Sequence, residues 1–402
     1  MNCVHVKCPN WLAVLMQEAG GIVPFSQFMN WALNENKYGA YASGTLKIGK
    51  KGDFVTSPSL GPEFCELLAK QIADWILEIE RNSIKSTPIS IVDIGPGEGD
   101  LAFNLISEFI QSYPNLLSKI EFVLIEINEG MIVRQKKKLK SIINAKIRWT
   151  NFSELSNCPV TGVMIAHEIL DALPVDRIVW LNQKIYLQAV KLINESSENY
   201  LEFTNISLDN SIKNYLYLVN HHLGLTIPPN NAPNGWTSEI HTSLESWFKL
   251  ASSSLVNGPL LVIDYALNAS RFYQPSRLNG TIISYRNQRA YQDVLAEAGF
   301  SDITAHLCIE TLNMFAENSN FRFVGERRQG LSLLSLGLSA KLNSIQSSTS
   351  NNLEVALNTR ENLLRLVDPM CLGEFRWLIY EKTSHNSLSN MSLPLFLLDP
   401  QD

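Results

Sequence analysis

The stretch Ile91-Val92-Asp93-Ile94-Gly95-Pro96-Gly97-Glu98-Gly99-Asp100-Leu101 sets an apolar strand directly against three glycines at alternate positions. Glycine permits a tight strand-to-helix turn and close approach of a ligand to the backbone. The helix expected over 101–111 then presents unpaired N–H groups at its start. A chain built on such a turn is expected to be α/β, with a polar ligand above the turn. The dinucleotide fingerprint G-x-G-x-x-G needs its third glycine where Asp100 stands, one position after Gly99, so a nicotinamide cofactor is disfavoured.

An acidic strand residue, Asp93, immediately before G-x-G-x-G is instead the pattern of S-adenosylmethionine methyltransferases. Its carboxylate is placed to orient the loop and meet the cofactor's ammonium. The next apolar, β-branched run, 120–127, carries Glu126 at its C-terminal end. A carboxylate there accepts from two ribose hydroxyls at once, and such charge-assisted bonds contribute ~1.5 to 3 kcal/mol each. Taken alone Glu126 reads as a solvated strand end; one helix and one strand after the glycine loop, it becomes the expected ribose ligand. Gly95, Gly97, Gly99, Asp93 and Glu126 thus form the expected cofactor site.

With 402 residues, 45% hydrophobic and 18% charged, the chain can bury a sizeable core, as one large domain with insertions or as two domains. A net charge of −6 gives no support for nucleic-acid binding. The densest basic run, Arg134 to Lys140, reads as the solvated face of a helix. Six cysteines without C-x-x-C spacing indicate neither a zinc site nor a disulfide framework, and a reducing compartment is expected. No run approaches the ~20 apolar residues of a membrane span, and the N-terminus lacks a secretory or Arg/Ser-rich presequence pattern. The chain reads as a soluble cytoplasmic protein.

The expected organisation is a doubly wound, Rossmann-like α/β sheet with additions. Residues 1–60 form an N-terminal extension with a helix at 26–33 and the aromatic segment Tyr38-Gly39-Ala40-Tyr41. Residues 61–173 form the first part of the core. There an amphipathic helix at 62–80 precedes strands at 89–93, 121–127, 146–150 and 162–166. Residues 174–256 break the alternation with strands at 184–194 and 200–206 and a helix at 210–223, read as an inserted substrate lobe. Residues 257–402 complete the core, with strands at 259–265, 300–312 and 374–382. A helical insertion at about 313–370 carries a mobile, Ser/Asn-rich loop, 344–352.

Four constellations carry candidate chemistry. Met164 to Val175 is a buried strand that delivers His167, Glu168 and Asp171 beyond its C-terminal end, the edge where open α/β sheets bind ligands. The structural alternative makes His167 a satisfied core histidine and Asp171 an N-cap. The segment Gly49 to Pro58, with Asp53 and Thr56, reads as a surface hairpin leading to a helix capped by Ser57 or Ser59, or as a wall of the site. Val262-Ile263-Asp264-Tyr265 ends a strand in a carboxylate and a phenol. Trp236-Thr237-Ser238-Glu239 is structural unless the fold brings Glu239 over the cofactor.

Together these segments resemble the MidA family of S-adenosylmethionine-dependent methyltransferases. The resemblance spans nearly the whole chain, on Phe25 to Tyr41, Gly52 to Pro58, Asp93 to Gly99, His167-Glu168 with Asp171 and Leu173-Pro174-Val175, Asp264-Tyr265, Gly280-Thr281, Asp302 to Ala305 and Leu372 to Phe375. Departures are Ser59 where the family usually has Glu, Ala266 where it has Gly, and the altered turn from Gly280 to Arg286. The resemblance implies S-adenosylmethionine as cofactor, no metal, and an arginine of a complex I subunit as methyl acceptor, since mitochondrial members act in complex I assembly. In that reading Glu168, with Asp171, clamps the guanidinium and His167 or a carboxylate takes the proton. Asp53 and Thr56 join the cofactor wall, and Tyr265, Asp264 and Glu239 the substrate side. A small-molecule acceptor and a non-catalytic assembly chaperone that retains the cofactor stay open as rival readings, as does the oligomeric state.

Overall fold

Alternation along the strands builds the centre of the molecule. On one face of the main sheet Val92, Ile94, Val123, Ile125, Met164 and Val262 share a core, while Ile91, Phe122, Leu124, Val163, Ile165 and Ile263 share the core on the other. This period-2 division of apolar residues to both faces is what a sheet covered on two sides requires. The computed structural model describes residues 5–82, 88–195, 197–348, 353–382 and 392–400.

Seven strands form that sheet, in the order Arg322–Arg328, Arg376–Lys382, Leu255–Asp264, Val160–His167, Ile89–Ile94, Ile120–Ile125, Ile147–Thr150. The five from Leu255–Asp264 to Ile147–Thr150 run parallel; Arg376–Lys382 is antiparallel to both of its neighbours. Helices Glu63–Asn82 and Asp100–Ser112 cover one face, and Asn210–Leu223, Leu244–Ser254 and Ile309–Glu317 the other. The chain leaves Ile89–Ile94 toward one edge and returns on its other side at Val160–His167, so these two strands flank the switch point where doubly wound sheets hold ligands. The fold is doubly wound, Rossmann-like α/β, as expected.

The inserted lobe does not stand alone. Its strands Asp176–Leu181, Lys184–Glu195, Glu198–Ile206 and Thr237–Ile240 make a six-stranded sheet with Val6–Lys7 and Ile22–Pro24 of the N-terminal extension. Helix Phe25–Asn34 follows directly, and its Phe25, Phe28, Met29, Ala32 and Leu33 are buried.

Two late elements differ from expectation. Residues 300–312 are not one strand. Asp302–Thr304 joins a three-stranded sheet with Ile283–Arg286 and Arg289–Tyr291, Leu307–Cys308 pairs with Ala266–Leu267, and Ile309 opens a helix whose Ile309, Leu312, Phe315 and Ala316 are buried at helical steps. The strand that does join the main sheet, Arg322–Arg328, is an edge strand rich in arginine; having only one neighbour, it needs no apolar alternation. Helix Leu338–Ser348 also runs through the start of the loop expected at 344–352, whose residues 349–352 lie outside those described. At 49–54 the Gly49 N–H donates to the Phe54 carbonyl (2.8 Å), closing a tight loop. The helix after it, Ser57–Leu60, is capped by Thr56 rather than by Ser57 or Ser59. Among the described residues no helix is long and apolar enough to cross a membrane.

Candidate active site

The carboxyl ends of Ile89–Ile94, Ile120–Ile125 and Val160–His167 open into a cavity of about 360 Å³. Its floor is the glycine loop. Gly95, Gly97 and Gly99 have φ of 66°, 53° and 86°, the left-handed region that favours glycine, and a Cβ on Gly95 would meet Ile169 Cδ1 at 2.0 Å. Gly99 lies at the start of helix Asp100–Ser112, whose first N–H groups face the loop.

Asp93 lines this cavity and is 5% exposed, with Oδ2 lacking any partner. Burial, helped by the charge of Glu126, pushes its carboxyl up to about 7. An orphaned carboxylate oxygen beside a glycine cradle is what the ammonium of S-adenosylmethionine would satisfy, so the residues present fit the cofactor. Glu126 is held ready. Its Oε1 accepts the N–H groups of Ile127 and Asn128 (2.9 Å each) and its Oε2 accepts Gln135 Nε2 (3.0 Å); desolvation outweighs these bonds and raises its pKa.

Gln135 corrects the reading of the basic run 134–140. It is fully buried inside it, donating to the Gly97 carbonyl (2.8 Å) and to Glu126 while accepting Trp149 Nε1 (3.0 Å). Arg134 donates to Glu98 Oε1 (3.0 Å), and Lys138 to Asp100 Oδ1 (2.6 Å). The helix face is therefore a brace for the glycine loop. A glutamine flanked by cations was the available signal.

On the opposite wall stand His167 and Glu168. Glu168 is a non-glycine residue at φ 50°, a strained backbone of the sort that clusters at functional sites, and its N–H donates to the Ile263 carbonyl (2.9 Å). Its Oε1 accepts the Ser57 N–H (3.3 Å) and lies 3.5 Å from His167 Nε2. Burial pulls His167 down to about 3, so the imidazole is neutral, and burial with the charges of Asp264 and Asp302 raises Glu168 well above the usual carboxylate range. Asp171, buried behind the wall, is raised by burial and by Asp264, Asp302 and Glu168; it is not an N-cap.

Other expected site residues act at one remove. Asp264 accepts the N–H groups of Leu170 (3.0 Å), Asp171 (3.2 Å) and Tyr265 (2.8 Å), and thereby shapes the loop that carries Glu168 rather than facing the cavity. Glu239 is buried away from it, accepting Arg177 Nε (3.2 Å) and both the N–H (2.8 Å) and the hydroxyl (3.2 Å) of Thr281; it is structural. Asp53 accepts the N–H groups of Lys47 and Asn287 (2.9 Å each), while Thr56 does line the cavity. Tyr265 packs between Phe375 and a parallel His306, with ring centroids at 4.0 and 5.4 Å. Asn30, Asn34 and Tyr41 also line the cavity; the segment Phe25 to Tyr41 was part of the resemblance, but no site role was expected of these three. Among the described residues no three His, Cys, Asp or Glu side chains group as a metal site.

A sequence model of a family of S-adenosyl-L-methionine-dependent methyltransferases matches residues 67–326. The chain is similar to the mitochondrial protein arginine methyltransferase NDUFAF7 of Xenopus laevis, 24% identical over 401 residues that cover 92% of this chain and 83% of that protein. It is similar to the Danio rerio protein of the same name, 22% identical over 381 residues, with 89% and 82% covered. A crystal structure of a Burkholderia thailandensis protein bound to S-adenosyl-homocysteine superposes with a TM-score of 0.80 at 21% identity, over 97% of this chain and 94% of that one, which shows the shared fold. Both curated relatives are mitochondrial proteins, and this overturns the cytoplasmic placement expected above.

Proposed function

Because the chain belongs to the family of S-adenosyl-L-methionine-dependent methyltransferases, we propose that it moves the cofactor's methyl group to an arginine of a protein partner, with a subunit of an NADH-dehydrogenase-like complex as first candidate. The sulfonium supplies the driving force when bound. The protein's task is to align nucleophile, methyl and leaving sulfur, and such positioning is worth ~7 to 11 kcal/mol. Asp93 and Glu126 hold the ends of the cofactor, and the glycine loop lets it approach the backbone. Glu168 pairs with the guanidinium and keeps positive charge on the nitrogens not being methylated. As the N–CH₃ bond forms and the C–S bond breaks, the attacking nitrogen gives its proton to a carboxylate of this wall. A histidine held near 3 by burial is the poorer acceptor.

The observation that carries this reading is Glu168 on the cavity wall, its side chain 9% exposed and, among the described residues, paired to no Lys or Arg. The departure at Ser59 does not argue for lost activity. The Thr56 N–H donates to Ser59 Oγ (3.0 Å), so serine keeps the reciprocal capping bond that glutamate makes at the third helical position. Tritiated S-adenosylmethionine with arginine-containing peptides and mitochondrial lysate tests the proposal. Label in methylarginine is expected, and label confined to small molecules, or to nothing, rejects it.

A further inference from the structure

Residues 130–153 hold seven Lys and Arg and no Asp or Glu, in a chain whose net charge is −6. Four of the seven have an acid beside them. Arg134 pairs with Glu98, Lys138 with Asp100 and Arg148 with Glu121, and the charge of Lys146 also acts on Glu121. Lys136, Lys137 and Lys140 are exposed and, among the described residues, reach no carboxylate within 4.0 Å.

Helix Glu129–Leu139 sorts these residues by its period. Met131, Gln135 and Leu139 are buried at four-residue steps, and Gln135 ties that side to Gly97 and Trp149. Val133, Lys136, Lys137 and Lys140 fall at i, i+3, i+4 and i+7, the spacing of a single helical face, and this face is turned to solvent. Val133 is 66% exposed, and Ile143, just past the helix, is 85% exposed. Lys136 lies over the Trp149 ring, 5.3 Å from its centroid. In chain order the row of unpaired ammonium groups thus has a bare aliphatic side chain before it and another after it.

Nucleic acids, acidic proteins and anionic lipids all carry the complementary charge. A nucleic acid would use the lysines but leave Val133 and Ile143 in water, and this face offers no exposed aromatic ring for a base. An acidic protein would need a separate pocket shaped to each aliphatic tip. A bilayer interface needs none, because acyl chains close around any apolar tip while lysine stems reach back to the phosphates. Isolated aliphatic tips among unpaired lysines therefore favour a fluid, anionic surface.

We propose that this face docks the protein peripherally on an anionic lipid bilayer, with Lys136, Lys137 and Lys140 meeting headgroup phosphates and Val133 and Ile143 entering among the upper acyl chains. None of the five lines the cavity, so the proposal stands apart from the arginine reading.

Co-sedimentation of the full chain with vesicles tests it, comparing equal parts of phosphatidylcholine and phosphatidylglycerol with phosphatidylcholine alone. Expected are binding to the mixed vesicles only, and a decline as salt is raised. Lys137→Gln and Lys140→Gln should each weaken binding about fivefold, and Ile143→Ser about tenfold at every salt concentration. All three residues are exposed, so each variant should keep the parent's affinity for S-adenosylhomocysteine, which reports a folded protein. Absent binding, equal binding to both vesicles, or lysine variants that bind as the parent does would overturn the docking face. An Ile143→Ser protein that binds as the parent does, or soluble polyglutamate bound as tightly as the mixed vesicles, would assign the lysines to an acidic protein and overturn the lipid proposal.

Discussion

The glycine-loop wall and the Glu168 wall of the same cavity, proposed to take cofactor and acceptor, are built in different ways. Asp93, the glycine loop, Glu126, Gln135 and Trp149 come from one run of chain, two βα units long, and Glu126 receives its donors from its own neighbours and from Gln135. The other side draws on four separate segments: Tyr41 and Glu168 line the cavity, while Asp171, Asp264 and Asp302 are buried behind them, and no Lys or Arg pairs with these acids among the described residues. On the first wall Glu126 is satisfied by its neighbours while Asp93 Oδ2 has no partner; on the second Glu168 accepts the Ser57 N–H and pairs with no Lys or Arg among the described residues. An acid already holding backbone donors suits a neutral partner, whereas a largely buried acid without a cation favours a charged one.

The sharpest way to break this contrast is Glu168→Gln. Turnover should fall by about 10³-fold, as when a residue that stabilises developing charge is lost. Affinity for S-adenosylhomocysteine, read by calorimetry, should change little; loss of both together would mean the two walls are one. Asp93→Asn should do the converse, weakening S-adenosylhomocysteine by about tenfold through loss of a charge-assisted bond. Since Asp93 titrates at about 7 and its carboxylate is the binding form, parental affinity should fall by up to about tenfold per pH unit below 7 and level off above it. In Asp93→Asn that slope should flatten, and an unflattened slope assigns the titration to another group.

A smaller effect is expected at Asp302. The folded carboxyl, at about 6, holds its proton more tightly than the unfolded one near 3.8. The native state therefore binds more protons across that window, and this residue's contribution to stability is lost as pH rises from about 4 to 6. Relative to the parent, Asp302→Asn should gain stability over that window by at most about 3 kcal/mol in denaturant titrations, and a constant difference would deny the shift. Gln135→Ala should cost about 1 to 3 kcal/mol by removing the partner of the partly buried Trp149 N–H and loosening Gly97, and should loosen cofactor binding without altering the wall that carries Glu168.

The cofactor wall was legible because its signals are contiguous: an apolar run, glycines that must take positive φ, and acids at strand ends. The same locality let Lys184–Glu195, Glu198–Ile206 and Asn210–Leu223 be read nearly to the residue. Glu239 misled, because an acid in a stretch with no predicted element says nothing about which way it faces; a buried Arg177 had already claimed it. Gln135 was hidden by the lysines around it. Arg322–Arg328 was missed because an edge strand can be polar, and 300–312 was overread because short apolar runs do not distinguish strand from helix start.

From the residues alone followed the doubly wound sheet, its glycine loop and the class of cofactor, all properties of segments whose hydrogen bonds and burial close within a few dozen residues. Tertiary structure alone decided that the N-terminal extension finishes the lobe sheet, that Asn30, Asn34 and Tyr41 border the cavity, and that Asp264 and Asp302 come near the Glu168–Asp171 loop. The physical reason is range. Backbone conformation is chosen by near neighbours, whereas the cost of gathering like charges arises only once packing has removed the water between them.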